Sequence, residues 1–287
     1  MPMTDSGFLI PFENLPERFM KSLEHPSHPP VPASPAATIV LLRDSPSKME
    51  ILLLKRDSSA SFVPGAYVFP GGQVDPTDWS KKMLTNVDGL TTETAATRLD
   101  LAGTSPPAIA YYLAALREAF EETGILVGIG PNVQAPPTAA ENVEVEALRN
   151  RLMEGSVSFS DILEVLSCRI DGSSIEYLAH WITPEREPRR FDTRFFAARV
   201  QEHAEPIFDP REMTEALWLN PKEALSRNQA GTLPMIFPTI DTLQRLANYR
   251  TVGDALRGIG SATIPTLMPK LVLTEEGVRL QVGEEES

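Results

Sequence analysis

Short apolar runs recur along this chain, and their length and flanking residues predict strands. Residues 37–42 and 50–55 are apolar runs of strand length, separated by a turn sequence that contains Pro46. Residues 175–182 and 191–200 are further apolar segments of strand length. We therefore expect a hairpin at the start of the globular part and more strands in the second half of the chain.

One longer segment has helical rather than strand periodicity. Ser105 precedes a proline pair and predicts a helix N-cap, and Gly124 predicts the helix end near residue 123. Between them, apolar residues recur at the spacing of one helical face: Ile109, Leu113, Leu116 and Phe120. Further helices are predicted at residues 143–153, 160–166, 238–248 and 252–259.

These elements suggest how the chain is divided. Five prolines between residues 26 and 35 exclude a helix or a central strand there, so residues 1–35 are predicted to be an N-terminal arm and linker. Residues 36–287 are predicted to be a single domain. Within it, residues 79–104 have only moderate periodicity and are expected to be a partly helical insertion, and residues 221–287 a C-terminal helical extension that closes in a small hairpin.

Composition narrows the possible functions. With 26 basic and 39 acidic residues, the formal net charge of −13 argues against binding to nucleic acid or to an anionic membrane. Cys168 is the single cysteine, which excludes an intrachain disulfide and fits a reducing compartment. The chain shows neither the features of a signal peptide nor an apolar run of membrane-spanning length, so we expect a cytoplasmic location.

The segment from Arg117 to Ile125 contains the most distinctive chemistry. Glu118, Glu121 and Glu122 fall on one side of the predicted helix. Like charges at this spacing destabilise a helix by a few tenths of a kcal/mol per pair. A bound divalent cation would offset that repulsion, since hard cations take oxygen ligands.

Two segments together resemble a known signature. Residues 72–78 and 117–125 resemble the box of the Nudix hydrolases, in which a glycine and a glutamate precede Arg-Glu-apolar-any-Glu-Glu-any-Gly-apolar. Asp78 stands at the position of the first glutamate, and residues 79–116 replace a spacer of seven residues. A box split in this way is similar to the branch that includes the mammalian peroxisomal coenzyme A diphosphatase.

The resemblance implies a fold and a metal site. The implied fold is α/β, an α/β/α sandwich in which helices cover a mixed sheet, with the insertion inside the box. The implied ligands of Mg²⁺ or Mn²⁺ are Glu118, Glu121 and Glu122 with the carbonyl of Gly72, which a metal can approach because glycine has no side chain. Glu118 and Glu122 would be catalytic, and Arg117 would orient the carboxylates.

The resemblance also implies a reaction, hydrolysis of a diphosphate that links a nucleoside to another group. Coenzyme A or an acyl-CoA is the favoured substrate, giving 3′,5′-ADP and phosphopantetheine or its acyl form. ADP-ribose, NADH and dinucleotides remain alternatives. So does a non-catalytic, nucleotide-sensing domain, and the helices after Pro238 could instead form a homodimer surface.

Weaker signals complete the candidate site. Arg56 and Arg190 could bind phosphate and Phe191 could stack on a base, although such residues more often have structural roles. An additional carboxylate, acting as base or ligand, is expected among Glu202, Glu205 and Glu212. The insertion is expected to loop out as a lid or pocket wall, so that its deletion would raise KM more than it lowers kcat.

Overall fold

The computed structural model describes residues 8–12, 29–46, 48–60, 63–129, 138–140 and 142–282. The strands are β1 (Phe8–Pro11), β2 (Ser34–Asp44), β3 (Met49–Arg56), β4 (Tyr67–Val68), β5 (Gly71–Gln73), β6 (Val87–Asp88), β7 (Ile170–Asp171), β8 (Ile175–Ile182), β9 (Phe191–Arg199), β10 (Met213–Leu219), β11 (Thr266–Leu267), β12 (Lys270–Leu273) and β13 (Gly277–Gln281). The helices are α1 (Lys81–Leu84), α2 (Thr92–Leu99), α3 (Ala108–Thr123), α4 (Val143–Met153), α5 (Phe159–Val165), α6 (Pro221–Gln229), α7 (Phe237–Leu246) and α8 (Val252–Gly260).

The chain divides into two compact units, of which the larger comprises Ala36–Leu178 and Arg194–Thr263. Its sheet has the strand order β10-β3-β2-β9-β8. The predicted hairpin is confirmed, since β2 and β3 pair antiparallel. β2 begins at Ser34, so it includes Pro35, which the sequence predicted to belong to the N-terminal arm.

The glycines before the insertion form part of this sheet. Gly71 and Gly72 belong to β5, which pairs antiparallel with β2. The pairing places Gly72 opposite Ala37 and Gly71 opposite Thr38.

Helix α3 forms much of the core, and the predictions for its two ends had different outcomes. The predicted end is confirmed, because Gly124 caps the helix in the left-handed conformation with φ of 68°. The predicted N-cap is wrong. Pro107 holds that position without a side-chain hydrogen bond, because the helix begins at Ala108 and leaves Ser105 too far upstream to cap it.

The insertion is packed into the larger unit rather than looped out. Its helices α1 and α2, predicted in outline, contribute Met83, Ala95 and Leu99 to the same core cluster as α3, and the segment between them contributes Leu90. On its surface, Lys82 pairs with Asp161 of α5 and Asp88 accepts a hydrogen bond of 2.8 Å from Arg169. The expectation that the insertion loops out is therefore wrong, because its apolar residues are buried in the core. Its role as a lid or pocket wall stays a prediction.

The smaller unit comprises Met1–Pro35, Ala179–Thr193 and Ile264–Ser287. It contains the sheet β1-β13-β12, whose neighbouring strands pair antiparallel, and β11, which pairs parallel with the end of β8. The predicted C-terminal hairpin is therefore confirmed, and the helical extension ends at Gly260. Residues 1–7 and 13–28 of the predicted arm lie outside the described residues, and the single domain from residue 36 stays a prediction.

The α/β fold class with a mixed sheet is confirmed, since parallel and antiparallel strand pairs both occur beside the helices. None of the helices that the structure describes combines the length and the apolar character needed to cross a membrane. The larger unit contains both halves of the split box.

Candidate active site

Arg117 connects the two halves of the box. Its Nε donates to Oδ1 of Asp78 at 2.8 Å and its Nη2 to Oδ2 at 3.1 Å. Nη2 also donates to the carbonyl oxygen of Gln73 at 2.8 Å, at the end of β5. One guanidinium thus joins the glycine strand, the start of the insertion and helix α3.

The same guanidinium orients two carboxylates of the helix. Its Nη1 donates to Oε1 of Glu118 at 2.7 Å and to Oε2 of Glu121 at 3.1 Å. Burial acts to lower the pKa of Arg117, but its acidic neighbours outweigh burial and raise that pKa. The predicted proximity of Arg117 to the carboxylates is therefore observed, and its role in catalysis stays a prediction.

Gly72 makes room for the carboxylate of Glu118. A Cβ atom added at Gly72 would lie 2.4 Å from Oε1 and 2.6 Å from Oε2 of Glu118, well inside contact distance. Only glycine fits this position while Glu118 keeps its place. The predicted approach of a metal to the carbonyl oxygen of Gly72 stays a prediction.

Glu122 contacts the other glycine of β5, Gly71. Its Oε2 accepts a hydrogen bond of 3.1 Å from the backbone N–H of Gly71. Burial, followed by the charge of Glu118, raises the pKa of Glu122 to about 8. Burial likewise raises the pKa of Glu118 to about 7, against the effect of Arg117. These carboxylates hold protons near neutral pH unless a cation replaces them.

Arg56 and Glu212 lie near Glu122. Burial, Glu118 and the N–H of Gly71 have the largest effects on the pKa of Glu122. The positive charge of Arg56 then lowers that pKa and the negative charge of Glu212 raises it. Nε of Arg56 is buried without a hydrogen-bond partner among the described residues. Of the three further carboxylates predicted, Glu212 is thus the one placed close to the box. Glu205 instead pairs with Arg43 at 3.1 Å, and Glu202 is exposed.

Arg190 and Phe191 belong to the smaller unit. Nε of Arg190 donates to the carbonyl oxygen of Thr183 at 3.0 Å and Nη1 to that of Val31 at 2.8 Å. Phe191 is half-buried, and its backbone pairs with Thr183. Arg190 therefore has a structural role within its own unit, and the predicted contacts of both residues with substrate stay predictions.

The chemistry of the box fits a divalent cation. It offers the buried carboxylates of Glu118 and Glu122 and that of Glu121, which are oxygen ligands suited to a hard cation. Among the described residues, no three acidic, histidine or cysteine side chains are already arranged as a complete metal site. The hydrogen bonds explain why the carboxylates do not converge on one point: Glu118 and Glu121 accept from Arg117, whereas Glu122 accepts from the N–H of Gly71. A cation would be held by these carboxylates together with other oxygens.

Sequence reasoning missed Arg149, a residue of α4. It is 4% exposed, and its Nε donates to the carbonyl oxygen of Glu121 at 2.7 Å. Nothing in the local pattern distinguishes this arginine from a surface residue. Only the packing of α4 beside α3 places it at the end of the signature helix.

A family model agrees with this geometry. The model for the NUDT19 Nudix domain matches residues 31–246, which include both halves of the box. The chain belongs to this Nudix family. Nudix proteins generally use divalent metal cations, in agreement with the carboxylates of Glu118 beside Gly72 and of Glu122 beside Gly71.

Curated relatives of this Nudix chain are enzymes by name. The acyl-coenzyme A diphosphatase NUDT19 of Gallus gallus is 29% identical over 250 residues, which cover 73% of this chain and 64% of that protein. The acyl-coenzyme A diphosphatase NUDT19 of Homo sapiens is 28% identical over 269 residues, covering 82% and 71%. The chain thus spans less than two thirds of the length of the chicken relative.

A solved structure supports the fold of this Nudix chain. The NUDIX hydrolase from Alicyclobacillus acidocaldarius is 28% identical, with a TM-score of 0.67, and the match covers 81% of this chain and 99% of that one. Similarity over nearly the whole of that chain shows that the two chains share the Nudix fold.

Proposed function

We propose that this chain is a Nudix pyrophosphohydrolase that uses Mg²⁺ or Mn²⁺ and hydrolyses the diphosphate of coenzyme A or acyl-CoA. Water would add across the P–O–P bond, giving 3′,5′-ADP and phosphopantetheine or its acyl form. The observation that carries the proposal is the bidentate pair of Arg117 with Asp78, at 2.8 and 3.1 Å. It joins the two halves of a box whose separation in sequence would otherwise leave its function in doubt.

The side chains of the box have distinct roles in this proposal. Arg117 holds Glu118 and Glu121 on the face next to Gly72, and the N–H of Gly71 holds Glu122. A divalent cation held there would neutralise phosphate charge and make water a stronger acid. A carboxylate of the site that remains free could accept the proton from water.

Two residues near Glu122 are candidates for roles in binding phosphate and in accepting a proton. Arg56 has a buried Nε without a partner among the described residues, and arginine binds phosphate oxygens with geometric specificity. Glu212 is exposed and close enough for its charge to act on Glu122. We therefore assign phosphate contact to Arg56 and proton acceptance to Glu212.

The substrate class is supported by the relatives. The proteins of chicken and human carry the name acyl-coenzyme A diphosphatase, and the family model matches most of the present chain. The acidic net charge of −13 gives no general attraction for anions, so binding of such a substrate would depend on local arginines and the cation.

A substrate panel tests the proposal. Coenzyme A, an acyl-CoA, ADP-ribose, NADH and a dinucleoside polyphosphate would each be assayed with Mg²⁺ and with Mn²⁺, and Glu122→Gln would serve as the inactive control. We expect release of 3′,5′-ADP from the first two substrates. If only one of the other compounds is hydrolysed, the proposed substrate class is wrong and that compound replaces coenzyme A. Tight nucleotide binding without any turnover would favour a sensing domain.

The assignment of Glu212 has its own test. We expect Glu212→Gln to lower kcat by about 10²-fold or more, as removal of a general base does. Glu205→Gln is the matched control, because that carboxylate is exposed and pairs with Arg43. Equal activity of the two variants would exclude Glu212 as the base.

Location and assembly complete the proposal. We infer a cytoplasmic protein from the composition, to be tested by cell fractionation. A homodimer through the helices after Pro238 is the alternative to a monomer, and light scattering distinguishes the two.

A further inference from the structure

The end of helix α3 has an electrostatic problem that the helix itself does not solve. Glu118, Glu121 and Glu122 lie in its last two turns, and its last turn contains no basic residue. The C-terminus of a helix carries partial negative charge, so anionic side chains are least favourable there. A cation from elsewhere in the fold is needed if the three carboxylates are to stay in place.

Arg117 is not placed to serve this purpose alone. Its guanidinium is directed towards Asp78 and the carbonyl oxygen of Gln73, as well as towards the side chains of Glu118 and Glu121. It therefore neutralises side chains on the site face. The main-chain carbonyls at the helix end require other partners.

Those carbonyls have three different partners. The carbonyl oxygen of Phe120 accepts from the N–H of Gly124, and that of Thr123 from the N–H of Ile207, at 2.8 and 2.9 Å. The carbonyl oxygen of Glu121 accepts from Nε of Arg149 at 2.7 Å. Arg149 is thus the charged partner at this end, supplied by α4.

Arg149 is buried where it makes this contact. It is 4% exposed, and its Nη2 is buried without a hydrogen-bond partner among the described residues. Burying a guanidinium with an unsatisfied donor is unfavourable unless nearby charges compensate. The negative charges that act on it are those of four acidic residues: Asp209, Glu146, Glu121 and Glu122.

We propose that Arg149 is a positioning residue, which fixes the end of α3 through the carbonyl oxygen of Glu121 and so holds Glu121 and Glu122 in place for a divalent cation. The catalytic consequence rests on the proposed function. The effect on the helix end does not.

The test compares Arg149→Met with Arg43→Met and uses two readouts that do not depend on turnover. Arg43 is a matched control, since it is also largely buried and donates to a main-chain carbonyl, that of Ala204, at 3.0 Å. Hydrogen exchange of residues 118–125 reports on the helix end, and calorimetric titration with Mn²⁺ reports on cation binding. Arg149→Lys, which keeps the charge, tests for rescue and provides a folded variant if Arg149→Met is unstable.

We expect Arg149→Met to exchange the amides of residues 118–125 at least 10-fold faster and to bind Mn²⁺ about 10-fold more weakly, as loss of a residue that supports metal ligands does. Arg149→Lys should recover part of both losses, and Arg43→Met should change neither. If Arg149→Met loses thermal stability but keeps both wild-type values, Arg149 has only a packing role and the proposal is wrong. If the wild type itself binds no Mn²⁺, the proposed function fails, and hydrogen exchange alone decides whether Arg149 holds the helix end.

Discussion

Arg117 and Asp78 form a buried bidentate pair although they lie 39 residues apart, with Nε–Oδ1 at 2.8 Å and Nη2–Oδ2 at 3.1 Å. The side chains are 10% and 2% exposed. Asp78 also accepts from the backbone N–H of Asp75 at 2.8 Å, so the short helical turn at the start of the insertion is part of the same network. The pair restores the continuity of a box that the insertion interrupts.

Removing one member of this pair should be costly. We expect Asp78→Ala to lower the free energy of unfolding by about 3–5 kcal/mol, because it leaves Arg117 as a buried charge with fewer partners. Urea denaturation measures this change. Asp75→Ala is the control, since it leaves the Arg117–Asp78 pair in place. It removes an N-cap whose side chain accepts from Thr77 and from the backbone N–H of Asp78, and should cost about 1 kcal/mol. Equal costs for the two variants would contradict a central role for the pair.

The two glycines of β5 should respond differently to alanine. A Cβ atom at Gly71 would lie 2.5 Å from the carbonyl oxygen of Ala37 and 2.8 Å from Cα of Thr38, both of them backbone atoms. At Gly72 it would meet only the movable carboxylate of Glu118, at 2.4 Å. We therefore expect Gly71→Ala to destabilise the fold by about 1–3 kcal/mol.

Gly72→Ala should instead change the site and leave the fold nearly intact. We expect it to lower the free energy of unfolding by less than Gly71→Ala does, because the side chain of Glu118 can move more easily than the backbone of β2. The displaced Glu118 should weaken Mn²⁺ binding by about 10-fold. Thermal unfolding and Mn²⁺ titration of both alanine variants check the contrast. Unchanged Mn²⁺ affinity in Gly72→Ala would show that the position of Glu118 is unimportant for the cation.

The raised pKa values predict how stability depends on pH in the metal-free protein. Burial raises the pKa of Glu118 to about 7 and that of Glu122 to about 8, from an ordinary value of 4.5. Between pH about 5 and 8 the native state therefore binds more protons than the unfolded chain, so the free energy of unfolding falls as pH rises. Each pKa unit corresponds to ~1.4 kcal/mol.

Urea denaturation at several pH values, with EDTA present, measures this dependence. Glu122→Gln should flatten it, because the amide does not titrate. Mn²⁺ competes with the protons, so its affinity should rise over the same pH range and its addition at pH 8 should restore stability. A metal-free protein whose stability increases from pH 5 to pH 8 would contradict the raised pKa values.

The sequence predicted features that local patterns determine. The end of α3 at Gly124 follows from one residue suited to the left-handed conformation, and the strands of the hairpin follow from apolar runs of the right length. The partnership of Arg117 with Asp78 could be expected only through the family resemblance. No local pattern relates residues so far apart.

Other features depend on packing that no local pattern encodes. Arg149 has the surroundings of a surface residue until α4 packs beside α3. The choice of Glu212 over Glu202 and Glu205 depends on how the loop before β10 returns to the sheet. The sequence around Glu212 does not distinguish it from the other two glutamates. Its position near Glu122 is visible only in the structure.

The insertion was also misjudged for a physical reason, and its packing changes the predicted effect of deletion. Leu90 is isolated among polar residues, so its burial in the core has little periodic signal. Because Met83 and Leu99 are only 1% and 4% exposed, we expect deletion of residues 82–102 to abolish cooperative unfolding rather than to change KM.

Point substitutions make the insertion prediction quantitative. Met83→Ala and Leu99→Ala should each lower the free energy of unfolding by about 2–5 kcal/mol, because each leaves a cavity in the core that also contains α3. Thr97→Ala, on the exposed side of α2, is the matched control and should stay within about 0.5 kcal/mol. Urea denaturation of the three variants, with KM measured for each, separates a core role from a lid. If the deletion variant folds and only its KM rises, the insertion acts as a lid and the core role is wrong.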